Sequence, residues 1–174
     1  MSNQPVQDKE TVNAAGETQT VLPHGLTFHR VPTHLDDRGS VCEMFDTRWN
    51  WHPEPIHFVY SYTIRPGRVK GWGMHKLHED RYFVLFGEME VVMYGPRPDS
   101  PTRGTVASVV LSHYDRRIMN IPTHVWHACR NLGQTDVVVV NFPTIPYDHS
   151  NPDKYRLPLD TDEIPYKFAD RAGW

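Results

Sequence analysis

Short apolar runs, broken by Gly, Pro and Asp at intervals of about ten residues, dominate this chain and leave little room for long helices. The runs are Leu26–Arg30, Val41–Phe45, Ile56–Ile64, Val69–His75, Arg81–Phe86, Glu88–Tyr94, Thr105–Leu111, Arg117–Ile121, Val125–Arg130 and Asp136–Phe142. With 15 prolines and 11 glycines in 174 residues, the chain has the punctuation of many turns. Phe86-Gly87-Glu88 reads as a tight reversal in which the glycine supplies a positive φ. The expectation is one all-β domain over residues 21–174, a sandwich or barrel, preceded by a polar, aperiodic and flexible tail over residues 1–20. The Pro- and Asp-rich stretch after Phe142 is expected to cover the barrel as loops and short helical turns.

Bulk properties remove several classes of function. A formal charge of -3 argues against an electrostatic nucleic-acid binder. No apolar run approaches the roughly 18–20 residues that span a bilayer. The opening residues lack the basic and apolar segments of an export signal. Cys42 and Cys129 lie in strand-like surroundings and read as buried free thiols of a reducing compartment. The expected setting is the cytoplasm, with neither nucleic acid nor membrane as partner.

Two histidine motifs carry the chemistry. The first is Gly73-x-His75-x4-Asp80-x6-Gly87; the second runs Pro122-x-His124-x2-His127-x3-Asn131. Strand side chains alternate between faces, so Gly73 and His75 point the same way. Together the motifs bring His75, Asp80 and His127 to the mouth of one small barrel. Among 11 histidines, His24, His34, His52 and His113 read as surface or structural residues. Trp49, Trp51, Trp72 and Trp126 read as core or pocket wall, and Arg97 and Asp99 as braces of a loop.

These two motifs resemble those of the cupin superfamily, which implies a cupin-type β-sandwich or jelly-roll barrel around a central ligand pocket. Asp37 through Phe45 is similar to the Asp-x-Arg-Gly-x-x-x-Glu-x-Phe signature of the dTDP-4-dehydrorhamnose 3,5-epimerases, and Arg97 through Gly104 to their Arg-x-x-Ser-Pro-Thr-x-Gly loop. The resemblance covers roughly residues 25–165. It implies an isomerase that inverts C3, C5 or both of a nucleotide-linked 4-keto-6-deoxyhexose in deoxysugar and polysaccharide biosynthesis. It also implies a homodimer that needs no cofactor. Carried over by position, His75 is the base, Asp160 the carboxylate that orients it, and His127 a second pocket histidine. Arg38 and Glu43 face the nucleotide, and Tyr147 stacks on its base.

Three positions depart from that pattern. The general-acid tyrosine is replaced by Asn141, which cannot supply a proton of useful pKa; water, Tyr147 or Tyr82 could take over. The lysine that stabilises the enolate is replaced by Asp80, whose charge would repel it unless Arg81 turns inward. Trp72-Gly73 stands for the usual Arg-Gly, which passes diphosphate binding to Lys70, Arg65 or Arg68. These departures sustain a rival. His75, Asp80 and His127 have the composition of a site for one divalent metal ion, with His78 and Glu79 as further donors. The chain would then be a metal-dependent cupin enzyme. A cupin that binds a nucleotide sugar without turning it over is the third reading.

Overall fold

The computed structural model describes residues 7, 10–15 and 18–168. Twelve strands follow in order: β1 Thr27–Arg30, β2 Thr33–Asp36, β3 Gly39–Cys42, β4 Tyr60–Ile64, β5 Val69–Met74, β6 Asp80–Phe86, β7 Glu88–Tyr94, β8 Val106–Ser112, β9 Arg117–Ile121, β10 Trp126–Asn131, β11 Val137–Asn141 and β12 Tyr155–Arg156. Two five-stranded sheets, β1-β9-β6-β11-β4 and β12-β5-β10-β7-β8, face each other, and β2-β3 forms a separate hairpin. Every pairing is antiparallel. This is the expected all-β jelly roll.

Strand alternation sorts the side chains into three apolar layers. Between the sheets lie Ile64, Val84, Met89, Val91, Met93, Leu111, Met119, Ile121, Val137 and Val139. The outer face of the first sheet buries Phe83, Ile118, Val140 and Phe142 beneath Met44, Trp49, Trp51 and Ile56. The outer face of the second buries Trp72, Val92 and Ala128 beneath Leu157, Tyr166 and Phe168. The central strands β6, β7, β10 and β11 are therefore buried over most of their length, because both of their faces are covered.

Arg81 fixes one of those covers. It points away from the barrel interior, is buried, and donates to the carbonyls of Glu54, Pro55 and Phe142 at 2.7, 3.0 and 2.5 Å. Alternation along β6 forces this: if Asp80 and Tyr82 face in, Arg81 faces out. An inward Arg81, offered above as a counter-charge, is thereby corrected.

Several boundaries differ from the sequence reading. The run Val41–Phe45 pairs only as far as Cys42, and its partner β2 lacks a sequence signal because all four of its residues are exposed. The stretch after Phe142 holds the short strand β12, and no helical turn occurs among the described residues. Of the tail, Val12 and Thr18 form an isolated antiparallel bridge; the rest of residues 1–20 lies partly outside the described residues. Cys42 is half-buried, Cys129 is buried, and both are free. Gly87 takes φ 86° at the expected reversal. Gly71 is required for closeness: a Cβ there would stand 2.3 Å from that of Ala128. The β5–β10 register slips beside it, with His127 opposite Gly73 and Cys129 opposite Lys70. Such a bulge re-aims the strand at the barrel mouth.

Candidate active site

At one end of the barrel the inward row changes from apolar to polar. β4 contributes Tyr60 and Tyr62, β6 Asp80 and Tyr82, β10 His127 and Cys129, and β11 Asn141. Val69, Lys70, Gly71 and Gly73 of β5, Lys154 just before β12 and Arg156 within it complete a cavity of about 440 Å3 lined from both sheets. Lys70 lies at its wall with Nζ 5.1 Å above the Tyr62 ring.

Asp80 is the centre of the buried polar cluster. Its Oδ2 lies 3.2 Å from His75 Nε2, 3.3 Å from His127 Nε2 and 2.8 Å from Tyr82 Oη, which donates to it. Its Oδ1 accepts from Asn141 Nδ2 at 2.7 Å and stands 3.8 Å from His78 Nε2. Burial alone would raise this carboxyl. The hydrogen bonds and charges of His127 and His75 outweigh burial and hold it well below the usual carboxylate range.

The far nitrogens of the three rings are anchored as well. His75 Nδ1 is bonded to the carbonyl of Asp153. His78 Nδ1 is 2.9 Å from the Asp153 carboxylate, and His127 Nδ1 is 3.1 Å from the carbonyl of Val125. Asp153 also accepts the backbone N–H groups of Lys76, Leu77 and His78 at 3.0, 2.8 and 3.2 Å. Both nitrogens of His75 therefore meet oxygen acceptors, which requires a proton on each. Burial opposes that cation, but Asp80 and the Asp153 carbonyl prevail and raise its pKa above 6.5. His127 Nε2 lies 3.2 Å from Tyr82 Oη as well, and since the one Tyr82 proton goes to Asp80, the hydroxyl accepts from the ring. Of the two rings, His127 is the one that lines the cavity.

The expected site residues are only partly assembled. His75, Asp80 and His127 meet, and His78 joins them. Glu79 instead turns to His52 and Asn120, at 2.9 and 2.7 Å. Asp160, the expected partner of His75, is exposed and gives its carbonyl to Lys167 Nζ at 2.8 Å. The carboxylate at the ring is Asp80, because β6 faces the barrel interior whereas the Leu157–Asp162 segment runs over the outside. Asn141 is buried behind the wall with its amide fully engaged. Arg38 lies on the exposed β2–β3 hairpin and pairs with Asp36, and Glu43 is exposed beyond it. Tyr147 is 40% exposed and sits edge-on to His149 rather than in the cavity wall. Lys70 lines the cavity as expected. Tyr60, Tyr62, Asp153, Lys154 and Arg156 were not anticipated. The alternation Tyr60-Ser61-Tyr62-Thr63 carried a signal for the first two; the others come from an aperiodic loop.

The titrating histidines give stability a defined pH dependence. His75, raised above 6.5, contributes stability that is full below that value and is lost as pH rises through its folded pKa. His78 is lowered below 6.5, by burial and then by the His75 charge, so its neutral form favours folding and that contribution is lost as pH falls. Urea unfolding of chelator-treated protein should therefore show maximal stability near pH 6.5. Asp80→Asn should flatten the alkaline limb and cost about 3–5 kcal/mol at the maximum, because it strands a buried cation. A monotonic profile would contradict the arrangement.

The sequence matches the family described as polysaccharide biosynthesis C-terminal domain over residues 34–155. It is 32% identical over 139 residues to a probable low-salt glycan biosynthesis epimerase, Agl13, of Haloferax volcanii, covering 79% of this chain and 88% of that protein. A dTDP sugar isomerase from Desulfovibrio desulfuricans superposes with a TM-score of 0.77 at 28% identity, over 85% of this chain and 94% of that one. The dTDP-4-dehydrorhamnose 3,5-epimerase of Bacillus anthracis shares the fold, with a TM-score of 0.71 at 17% identity over 82% and 83%. The chain thus belongs to the polysaccharide biosynthesis C-terminal domain family and has the cupin-type fold of the dTDP-sugar epimerases and isomerases.

Proposed function

We propose that this protein epimerises a nucleotide-linked 4-keto-6-deoxyhexose at C3, C5 or both. The cavity carries the reading: a carboxylate-anchored imidazole, His127, forms one wall, and Lys70, Lys154 and Arg156 bring positive charge to the same space. Those cations suit the diphosphate of a sugar nucleotide. The 4-keto group acidifies the hydrogens on C3 and C5. His127, acting as the base, removes one, and the enolate that forms lies among the cavity cations. Lys154 and Lys70 thus supply the charge lost with lysine at position 80. Gly73 leaves the approach open, since a Cβ there would stand 3.7 Å from His127 Nε2. His75, doubly protonated, neutralises Asp80 and holds it in place. In this reading the base is His127, the ring at the cavity wall, in place of the expected His75, and Asp80 takes the supporting role expected of Asp160. The reaction so read uses side chains alone and needs no cofactor.

A second reading rests on the anchored rings. One ligand atom each from His75, His78 and Asp80 falls within 4.8 Å of the others, and His127 Nε2 approaches the same carboxylate. Histidines whose far nitrogens are held by acceptors are the usual supports of a metal centre, and this donor set suits a divalent cation. When bound, such an ion would polarise the 4-keto oxygen as a Lewis acid. Cytoplasmic location and a homodimer complete the proposal. In the homodimer the β2–β3 hairpin, with Leu35 82% and Val41 68% exposed, is the surface to be covered.

Incubation with dTDP-4-keto-6-deoxyglucose in heavy water should introduce deuterium at C3 or C5, read by NMR. His127→Asn should slow this at least about 100-fold, the usual contribution of a general base. Binding without exchange would leave a non-catalytic nucleotide-sugar cupin. Elemental analysis of protein purified without chelator separates the two readings: full activity in metal-free protein excludes the second. Light scattering should give twice the chain mass of 20.2 kDa; a monomer at working concentration refutes the dimer.

A further inference from the structure

Inversion requires a proton donor on the face opposite the base. We infer that Tyr60 is that donor, with Asn141 as the residue that positions it. The inference rests on the epimerase reading and holds whether or not a metal is bound.

Position 141, where the resemblance places a catalytic tyrosine, is paired in register with Tyr60 on the neighbouring strand. The Asn141 amide has one possible orientation. Its Oδ1 accepts the Arg81 N–H at 2.9 Å, so its NH2 group faces the Asp80 carboxylate at 2.7 Å and Tyr60 Oη at 2.8 Å. Tyr60 Oη is thus an acceptor toward Asn141. Among the described residues its own proton has no acceptor, and the ring lines the cavity. The other phenols are otherwise engaged. Tyr82 is buried and donates to Asp80. Tyr62 Oη lies 3.8 Å from Cys129 Sγ. Tyr147 is outside the cavity lining.

Placement across the cavity gives the stereochemistry. His127 belongs to the β12-β5-β10-β7-β8 sheet and Tyr60 to the β1-β9-β6-β11-β4 sheet, so a sugar ring between the sheets meets the two groups from opposite sides. The step balances. His127, the base of this reading, takes the proton of a C–H bond, whose electrons form the enolate. The Tyr60 O–H bond breaks, and its proton joins the same carbon from the other face. The phenolate is held by the Asn141 N–H and regains its proton from water, while His127 releases one. Burial, followed by the Asp80 charge, raises Tyr60 to about 12, so it carries its proton at neutral pH.

The test is Tyr60→Phe, assayed with dTDP-4-keto-6-deoxyglucose in heavy water, with folding checked by circular dichroism. Deuterium wash-in at the reacting carbon should persist within a few-fold of wild type, while formation of the inverted sugar should fall by at least about 100-fold. A structural role would depress both together. Undiminished inversion by Tyr60→Phe, with an active wild type, overturns the assignment alone. A wild type that neither exchanges nor inverts overturns the epimerase reading and this inference with it. If Tyr60→Phe fails to fold, 3-fluorotyrosine at position 60 should move the alkaline limb of the kcat profile to lower pH; an unmoved limb also overturns the proposal.

Discussion

A single buried carboxylate organises this molecule. Taking Asp80 out of water costs several kcal/mol, and only charged or hydrogen-bonding partners repay it. The fold supplies them from four strands or their ends: Asn141 on β11, Tyr82 on β6 itself, His127 on β10, and His75 just past β5. Each partner must be in register for the charge to be satisfied. The requirement ties the two sheets together at the end where the apolar core stops.

The same constraint shapes the chemistry. Asp80 is held from behind by His75 and Asn141, and its third contact, His127, is the ring that stands at the cavity wall. Asn141 connects the two walls. Its NH2 group touches both Asp80 and Tyr60, so the base side and the donor side share one hydrogen-bonded frame. Asp153 clamps the turn after β5 through backbone N–H groups and thereby sets the His75 and His78 rings.

Much of the fold was legible in the chain. The period of the apolar runs marked β1, β4 to β11 and the reversal at Gly87, because strand alternation and turn chemistry are local properties. The β2–β3 hairpin was only half visible, since an exposed strand carries no apolar rhythm. β12 was missed because its two residues are held by pairing with β5 and carry no pattern of their own. The site was legible where it lies within motifs: His75, Asp80 and His127 were expected together and are together. It was not legible where the chain returns to the cavity from far away, as at Lys154, Arg156 and Asp153.

The sequence by itself determined the all-β class, the order of the strands and the inward histidine–carboxylate cluster, because each follows from short-range alternation and spacing. Tertiary structure decided the roles within that cluster. Which carboxylate meets His75, which ring lines the cavity, and which phenol keeps a proton for the cavity depend on contacts between residues far apart in the chain. Asp160 and Asp80 look equally able to hold an imidazole in a one-dimensional reading. Only the pairing of β6 with β9 and β11, inside a barrel that excludes water, puts one of them at the ring and leaves the other in solvent.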